Sequence, residues 1–240
     1  MITTAPELIY MLKVNIGIAL FYAFYKLFCC RDTFFQWRHI ALLSFLALSF
    51  LYPLMDMQAW VKEQPAINEL ADYYTLMMLT ETNTSTATVV TTPVAIPTPG
   101  LLDIIKFVYW IGILLLSARF MIQLSSIFHL VLKSKSINVD QISIRSLSEP
   151  ANPFSFWQWI FVYLPELKED EKQEILTHEQ THVRQWHSID VIISEIVNII
   201  CWMNPFAWLL KTEIRLNLEY LADHKVCLLY TSDAADDLIG

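Results

Sequence analysis

Charge is scarce in this sequence. Asp, Glu, Lys and Arg supply 17% of the 240 residues, against about 25% in an ordinary soluble domain. Hydrophobic residues reach 55%, with a mean hydropathy of +0.42. A chain so composed uses the lipid bilayer as part of its solvent. The charge it does carry is acidic, at −8 net, and no basic stripe or aromatic–basic alternation appears, which excludes nucleic acid as a direct partner. Cysteine is sparse too: Cys29, Cys30, Cys201 and Cys227 include no CxxC pair, so neither a disulfide framework nor a thiolate zinc site is expected. No internal repeat is visible.

The apolar residues are gathered into runs. Leu8 to Cys29 is long enough for one span, and Glu7 stands where a signal peptide would carry basic residues, so a retained helix is expected, with Lys13 snorkelling or facing other helices. Ile40 to Met55 is shorter, broken by Pro53, yet too continuous for an amphipathic surface helix. Leu101 to Leu132 is the third run and contains Arg119. Residues 1–132 thus read as a transmembrane region with helices at about 8–29, 40–55 and 104–132, and an acidic loop over 56–100 that becomes Thr- and Pro-rich. Lys26, Arg31 and Arg38 mark one loop as cytoplasmic, as Lys133 and Lys135 mark the chain after the third run. By that bias the amino terminus and the 56–100 loop face outward, and residues 133–226 form a cytoplasmic domain.

Within that domain, residues 137–165 mix alternation with aromatic and β-branched residues between prolines, which predicts a small β-hairpin or a pair of edge strands. Helical pattern begins near Leu167. There the sequence contains His178-Glu179-Gln180-Thr181-His182, an HExxH motif. Residues four apart share a helical face, so both imidazoles can reach one Zn²⁺, while Glu179 is offset to act as general base on a water. Two histidines aligned by chance on a solvated helix would give the same spacing. A helical context and a later carboxylate motif weigh against that.

A third ligand is needed. The metzincin pattern would require Gly at 185 and His at 188, where the chain has Gln185 and Ser188. His187 would fall out of phase with His178 on a continuous helix, which points to a structural role. Glu219 fits better, with Asp223 four residues on able to hold a ligating imidazole as its hydrogen-bond partner. Ordinary exposed carboxylates are the plainer reading of both. Choosing Glu219 forces a conclusion about Ile189 to Leu210, which is apolar enough to suggest a fourth span. A single crossing would leave Glu219 about 30 Å from His178. The segment must double back, and Asn204-Pro205 supplies the break, predicting antiparallel helices over about 168–203 and 205–226.

These residues resemble the BlaR/MecR-type antirepressor metallopeptidases, integral membrane sensor-transducers of bacteria. The resemblance lies in His178 to His182, then Arg184-Gln185-Trp186-His187-Ser188-Ile189-Asp190, Trp202-Met203-Asn204-Pro205 and Glu219-Tyr220-Leu221-Ala222-Asp223. Tyr25-Lys26 to Arg31-Asp32-Thr33-Phe34-Phe35 and Pro153-Phe154-Ser155-Phe156 share the family's look. It implies a mainly α membrane protein: three transmembrane helices and a gluzincin-like zinc domain on the cytoplasmic face of the bacterial inner membrane. It further implies proteolysis of a cytoplasmic transcriptional repressor, or of the chain itself, on an outside signal. Antibiotic-sensing members carry a further span and a penicillin-binding domain; this chain shows neither, nor an SxxK motif, so β-lactam recognition is not implied. Residues 227–240 resemble the translation of a sequencing-library adapter, so Cys227, Asp233, Asp236 and Asp237 are given no functional weight.

Two rival readings remain. A housekeeping membrane protease would use a similar site on many substrates without a signal. A non-catalytic receptor would use zinc to brace helices, with a fourth protein ligand such as His187 or His224 closing the site. Tyr220, Arg215 and His187 stand as equal candidates to stabilise an oxyanion.

Overall fold

The computed structural model describes residues 6–29, 34–55, 100–139, 142–147, 149–163 and 169–237. The acidic, Thr- and Pro-rich loop, apart from Gly100, and Arg31 lie outside them. Among the described residues, six helices and a small sheet follow one another. α1 (Pro6–Phe24) runs into a π-helical turn over Tyr25–Cys29, and α2 (Phe35–Leu51) ends in a 3-10 turn over Tyr52–Leu54. Then come α3 (Leu101–Lys133), strands β1 (Lys135–Val139), β2 (Ile142–Ser146), β3 (Phe154–Phe156) and β4 (Trp159–Val162), and helices α4 (Glu169–Arg184), α5 (His187–Ile200) and α6 (Pro205–Asp237).

Among the described residues, three stretches, Glu7–Cys29, Phe35–Leu54 and Asp103–Lys133, are long and apolar enough to cross a membrane. Their outward faces are apolar, with Leu12, Leu20, Trp37, Trp110, Leu114 and Ile122 all exposed, as lipid-facing helices require. The chain is a membrane protein. α2 starts earlier than the apolar run predicts, because Arg38, ahead of that run, is buried against Tyr25, its Nη2 donating to the phenol oxygen at 2.7 Å.

Beyond the spans, the apolar segment after the histidine motif does double back. α5 stops at Ile200, and Asn204 caps α6 through its Oδ1, which accepts the Phe206 N–H at 3.0 Å, with Pro205 as the first helical residue. The corner sits beside the middle of α1, where Asn204 Nδ2 donates to the Asn15 carbonyl at 3.1 Å. α6 then runs back with Leu210, Ile214, Leu218 and Leu221 in one buried stripe against Val14, Ile18, Leu42 and Leu46 of the first two helices and Val197 of α5. It extends to Asp237, past the predicted end near 226.

Two other expectations need correction. The 137–165 region forms a four-stranded mixed sheet in the order β1-β2-β4-β3, not a hairpin or strand pair: β1–β2 and β3–β4 are antiparallel pairs, and β2 pairs β4 in parallel. Arg145 of β2 ties this sheet to the end of α3, donating to the Val131 carbonyl at 2.8 Å, where a cation favours a helix C-terminus. Secondly, the helix predicted over about 168–203 is two helices. Trp186 takes a left-handed conformation (φ 57°) that ends α4. Trp157, in the β3–β4 turn, is the other described non-glycine residue at positive φ (58°). The two indoles pack edge to face at 5.2 Å, and the Trp157 N–H donates to Ser188 Oγ at 2.8 Å. A left-handed tryptophan costs on the order of 1–2 kcal/mol, so the sheet's hairpin clamps the break that it rests on.

α3 docks on the α5–α6 corner through Tyr109, whose hydroxyl donates to the Ile200 carbonyl at 2.7 Å, and through Gly112, where a Cβ would overlap the Trp202 indole. Gly112→Ala should therefore cost about 1–3 kcal/mol, as overpacking does. Thermal unfolding in detergent will show a lowered midpoint; an unchanged midpoint would mean that α3 does not seat on Trp202.

Candidate metal centre

α4 presents His178 and His182 one turn apart, and the returning α6 lies alongside with Glu219 facing them. His178 Nε2 lies 3.2 Å from Glu219 Oε2 and 3.2 Å from His182 Nε2, and His182 Nε2 lies 3.6 Å from the same carboxylate oxygen. A tetrahedral ion bound at about 2.0–2.1 Å holds its donor atoms roughly 3.3–3.4 Å apart. The triangle matches that spacing. Among the described residues these three form the one His/Cys/Asp/Glu group able to hold a metal ion. Donors of two imidazole nitrogens and one carboxylate suit Zn²⁺ with a position left open.

Glu219 is held well below the usual carboxylate range, chiefly by its hydrogen bonds with His178 and His182, and the same carboxylate raises His178. Glu219 thus presents a full negative charge to whatever cation fills the triangle. Asp223, one turn further along α6, places Oδ1 3.0 Å from His178 Nδ1. That contact fixes the proton on Nδ1 and frees Nε2, as carboxylate–histidine–metal arrangements do. Glu179 is buried, and with His178, Asp223, Pro153, Glu174 and Cys227 it lines a cavity of about 450 Å³ beside the triangle.

His187 does not enter the triangle, but not for the reason that its phase on a continuous helix gives. The helix it was phased on is broken at Trp186, so His187 swings behind His182, Nδ1 to Nδ1 at 2.8 Å, on the side away from the triangle. Burial, with His182 and His39 beside it, lowers its pKa to about 4. Its partner Gln185 lies in the motif that carries the family resemblance, whereas its neighbour His39, an α2 residue 2.9 Å from Asp190 Oδ2, carried no signal in the sequence beyond a polar residue at the start of an apolar run. His224 packs on Phe35. Of the three candidates for oxyanion stabilisation, Arg215 binds Glu195 at 2.9 Å, Tyr220 stacks on Phe35 and His187 backs His182; none lines the cavity.

The two carboxylates predict separable effects. Glu219→Ala removes a donor and should leave a chain that loses its divalent metal on gel filtration. Asp223→Ala leaves all three donors and should weaken binding by about 10- to 100-fold, the usual cost of losing a supporting partner. Wild-type metal content and affinity in both variants would remove α6 from the site.

A comparison with curated proteins finds no match. A family model, that of the BlaR1 peptidase M56, matches residues 12–234, taking in most of the first span, the second, the third and the whole of the histidine and carboxylate geometry. The chain therefore belongs to the BlaR1-type M56 peptidases, a family of membrane-associated metallopeptidases.

Proposed function

We propose that the chain is a zinc endopeptidase of the bacterial cytoplasmic membrane that cuts a cytoplasmic regulator, a transcriptional repressor or the chain itself, when a signal arrives from outside. The observation that carries the reading is the His178–His182–Glu219 triangle with a buried carboxylate, Glu179, beside it. Bound there, zinc would supply Lewis acidity to a scissile carbonyl and to a water, whose pKa falls to about 7. The chain's own part is proton handling and positioning. Glu179 takes the water's proton and returns it to the departing amine, its burial keeping bulk water from competing. β3 lies at the sheet edge, packs on α4 and follows Pro153 of the cavity wall, so an extended peptide can add to it as a further strand.

The transducing part of the reading rests on how the spans grip α6. Lys26 Nζ meets Glu213 Oε1 at 2.7 Å, the Tyr25 hydroxyl donates to Glu213 Oε2 at 3.3 Å, and Asn217 Nδ2 donates to the Phe35 carbonyl at 3.1 Å. Tyr220 stacks on Phe35 at 5.5 Å. Glu219 thus sits between residues clamped by α1 and α2, so a shift of either span moves the third donor. The charge bias puts this end of the spans, and the site, on the cytoplasmic side.

Glu179→Gln tests the catalytic assignment. The variant should keep its zinc and lose about 10²–10⁴-fold in cleavage rate, the contribution of general acid–base catalysis. Comparing new protein amino termini in cells expressing either form distinguishes the rivals. The transducer yields one or a few signal-dependent cuts; a housekeeping protease yields many without a signal. Full cleavage by Glu179→Gln would remove Glu179 from the mechanism.

A further inference from the structure

Two supports stand behind the two histidines, and they differ in kind. His178 has the carboxylate of Asp223 at its Nδ1, whereas His182 has another imidazole. His187 is buried to 2% exposure and makes two polar contacts: Nδ1 to His182 Nδ1 at 2.8 Å and Nε2 to Gln185 Oε1 at 3.1 Å. The amide oxygen of Gln185 can only accept, so the proton of a neutral His187 sits on Nε2 and its Nδ1 carries a lone pair. That lone pair accepts the Nδ1–H of His182, which leaves His182 Nε2 deprotonated and pointing into the triangle. Read from the other end, a metal on His182 Nε2 demands the same order of protons. Both ends of the chain of contacts give one polarity.

We infer that His187, set by Gln185, is a positioning residue that fixes the tautomer and ring plane of His182 for metal binding. The inference rests on the zinc reading above. It explains why α4 is broken where it is: on a continuous helix His187 could not face back to His182, and the left-handed Trp186, clamped by the β3–β4 turn, is what turns it round. The His39 ring of α2 packs edge to face on His187 at 5.9 Å and holds Asp190 at 2.9 Å, closing the imidazole in from the α2 side.

The test is a chelator-competition titration of Zn²⁺ on the full chain in detergent, with the absorption spectrum of the Co²⁺ form as a second readout. His187→Asn places an amide oxygen where Nδ1 stood and can still accept from His182; His187→Leu fills the space without an acceptor. The expected result is a zinc Kd about 10- to 100-fold weaker in His187→Leu with an altered Co²⁺ spectrum, and a Kd near wild type in His187→Asn. Equal Kd values in wild type and His187→Leu, or equal losses in the two variants, overturn the inference. Should His187→Leu fail to fold, Gln185→Leu, on a partly exposed side chain, decides: a weakened Kd supports the assignment, and an unchanged one overturns it. A wild-type chain that takes up no zinc overturns the zinc reading itself, whereas wild-type binding with an indifferent His187→Leu overturns the positioning role alone.

Discussion

Glu219 stands beside His178 because the chain turns back at Cys201–Asn204. Everything at the site depends on that corner. A straight helix from Ile189 would carry the carboxylate away at about 1.5 Å per residue. The corner is held from three sides: by its own Asn204 cap, by the Asn15 carbonyl of α1, and by Tyr109 and Gly112 of α3. A membrane helix contributes to each of the last two. The spans are therefore part of the scaffold that builds the site, and the apolar stripe of α6 is the surface on which they are assembled.

At the triangle, two imidazoles and a carboxylate crowd within hydrogen-bond distance, and each histidine has its remaining nitrogen engaged. Such a cluster orients three donors before an ion arrives. The two supports come from different elements, Asp223 from α6 and His187 from α5, so the geometry of the site reports on both arms of the re-entrant hairpin. α1 and α2 grip one arm at Glu213 and Asn217, and His39 touches the other at Asp190.

Much of this was legible in the sequence, for reasons that can be named. HExxH needs only the helical period, and the return of α6 followed from a distance that one ion cannot span, with Asn204-Pro205 as the visible break. Asp223 was legible because it repeats the i, i+4 spacing from Glu219. The split at Trp186 was not, since no glycine or proline marks it; the left-handed backbone there is held by a tertiary contact with Trp157, which pattern does not encode. The same holds for the sheet, whose parallel β2–β4 pair joins segments that local alternation reads only as a small hairpin or a pair of edge strands. The early start of α2 was hidden because Arg38, an apparent loop cation, is buried on Tyr25.

The side of the membrane on which each arm ends tests the account most directly. Two single-cysteine chains, Glu171→Cys on α4 and Lys225→Cys on α6, with the native cysteines replaced by serine, can be exposed to a thiol reagent that does not cross lipid. Neither should be labelled in intact cells, and both should be labelled in inverted membrane vesicles. Labelling of the Lys225→Cys chain in intact cells, with Glu171→Cys protected, would place Glu219 across the bilayer from His178 and contradict the account.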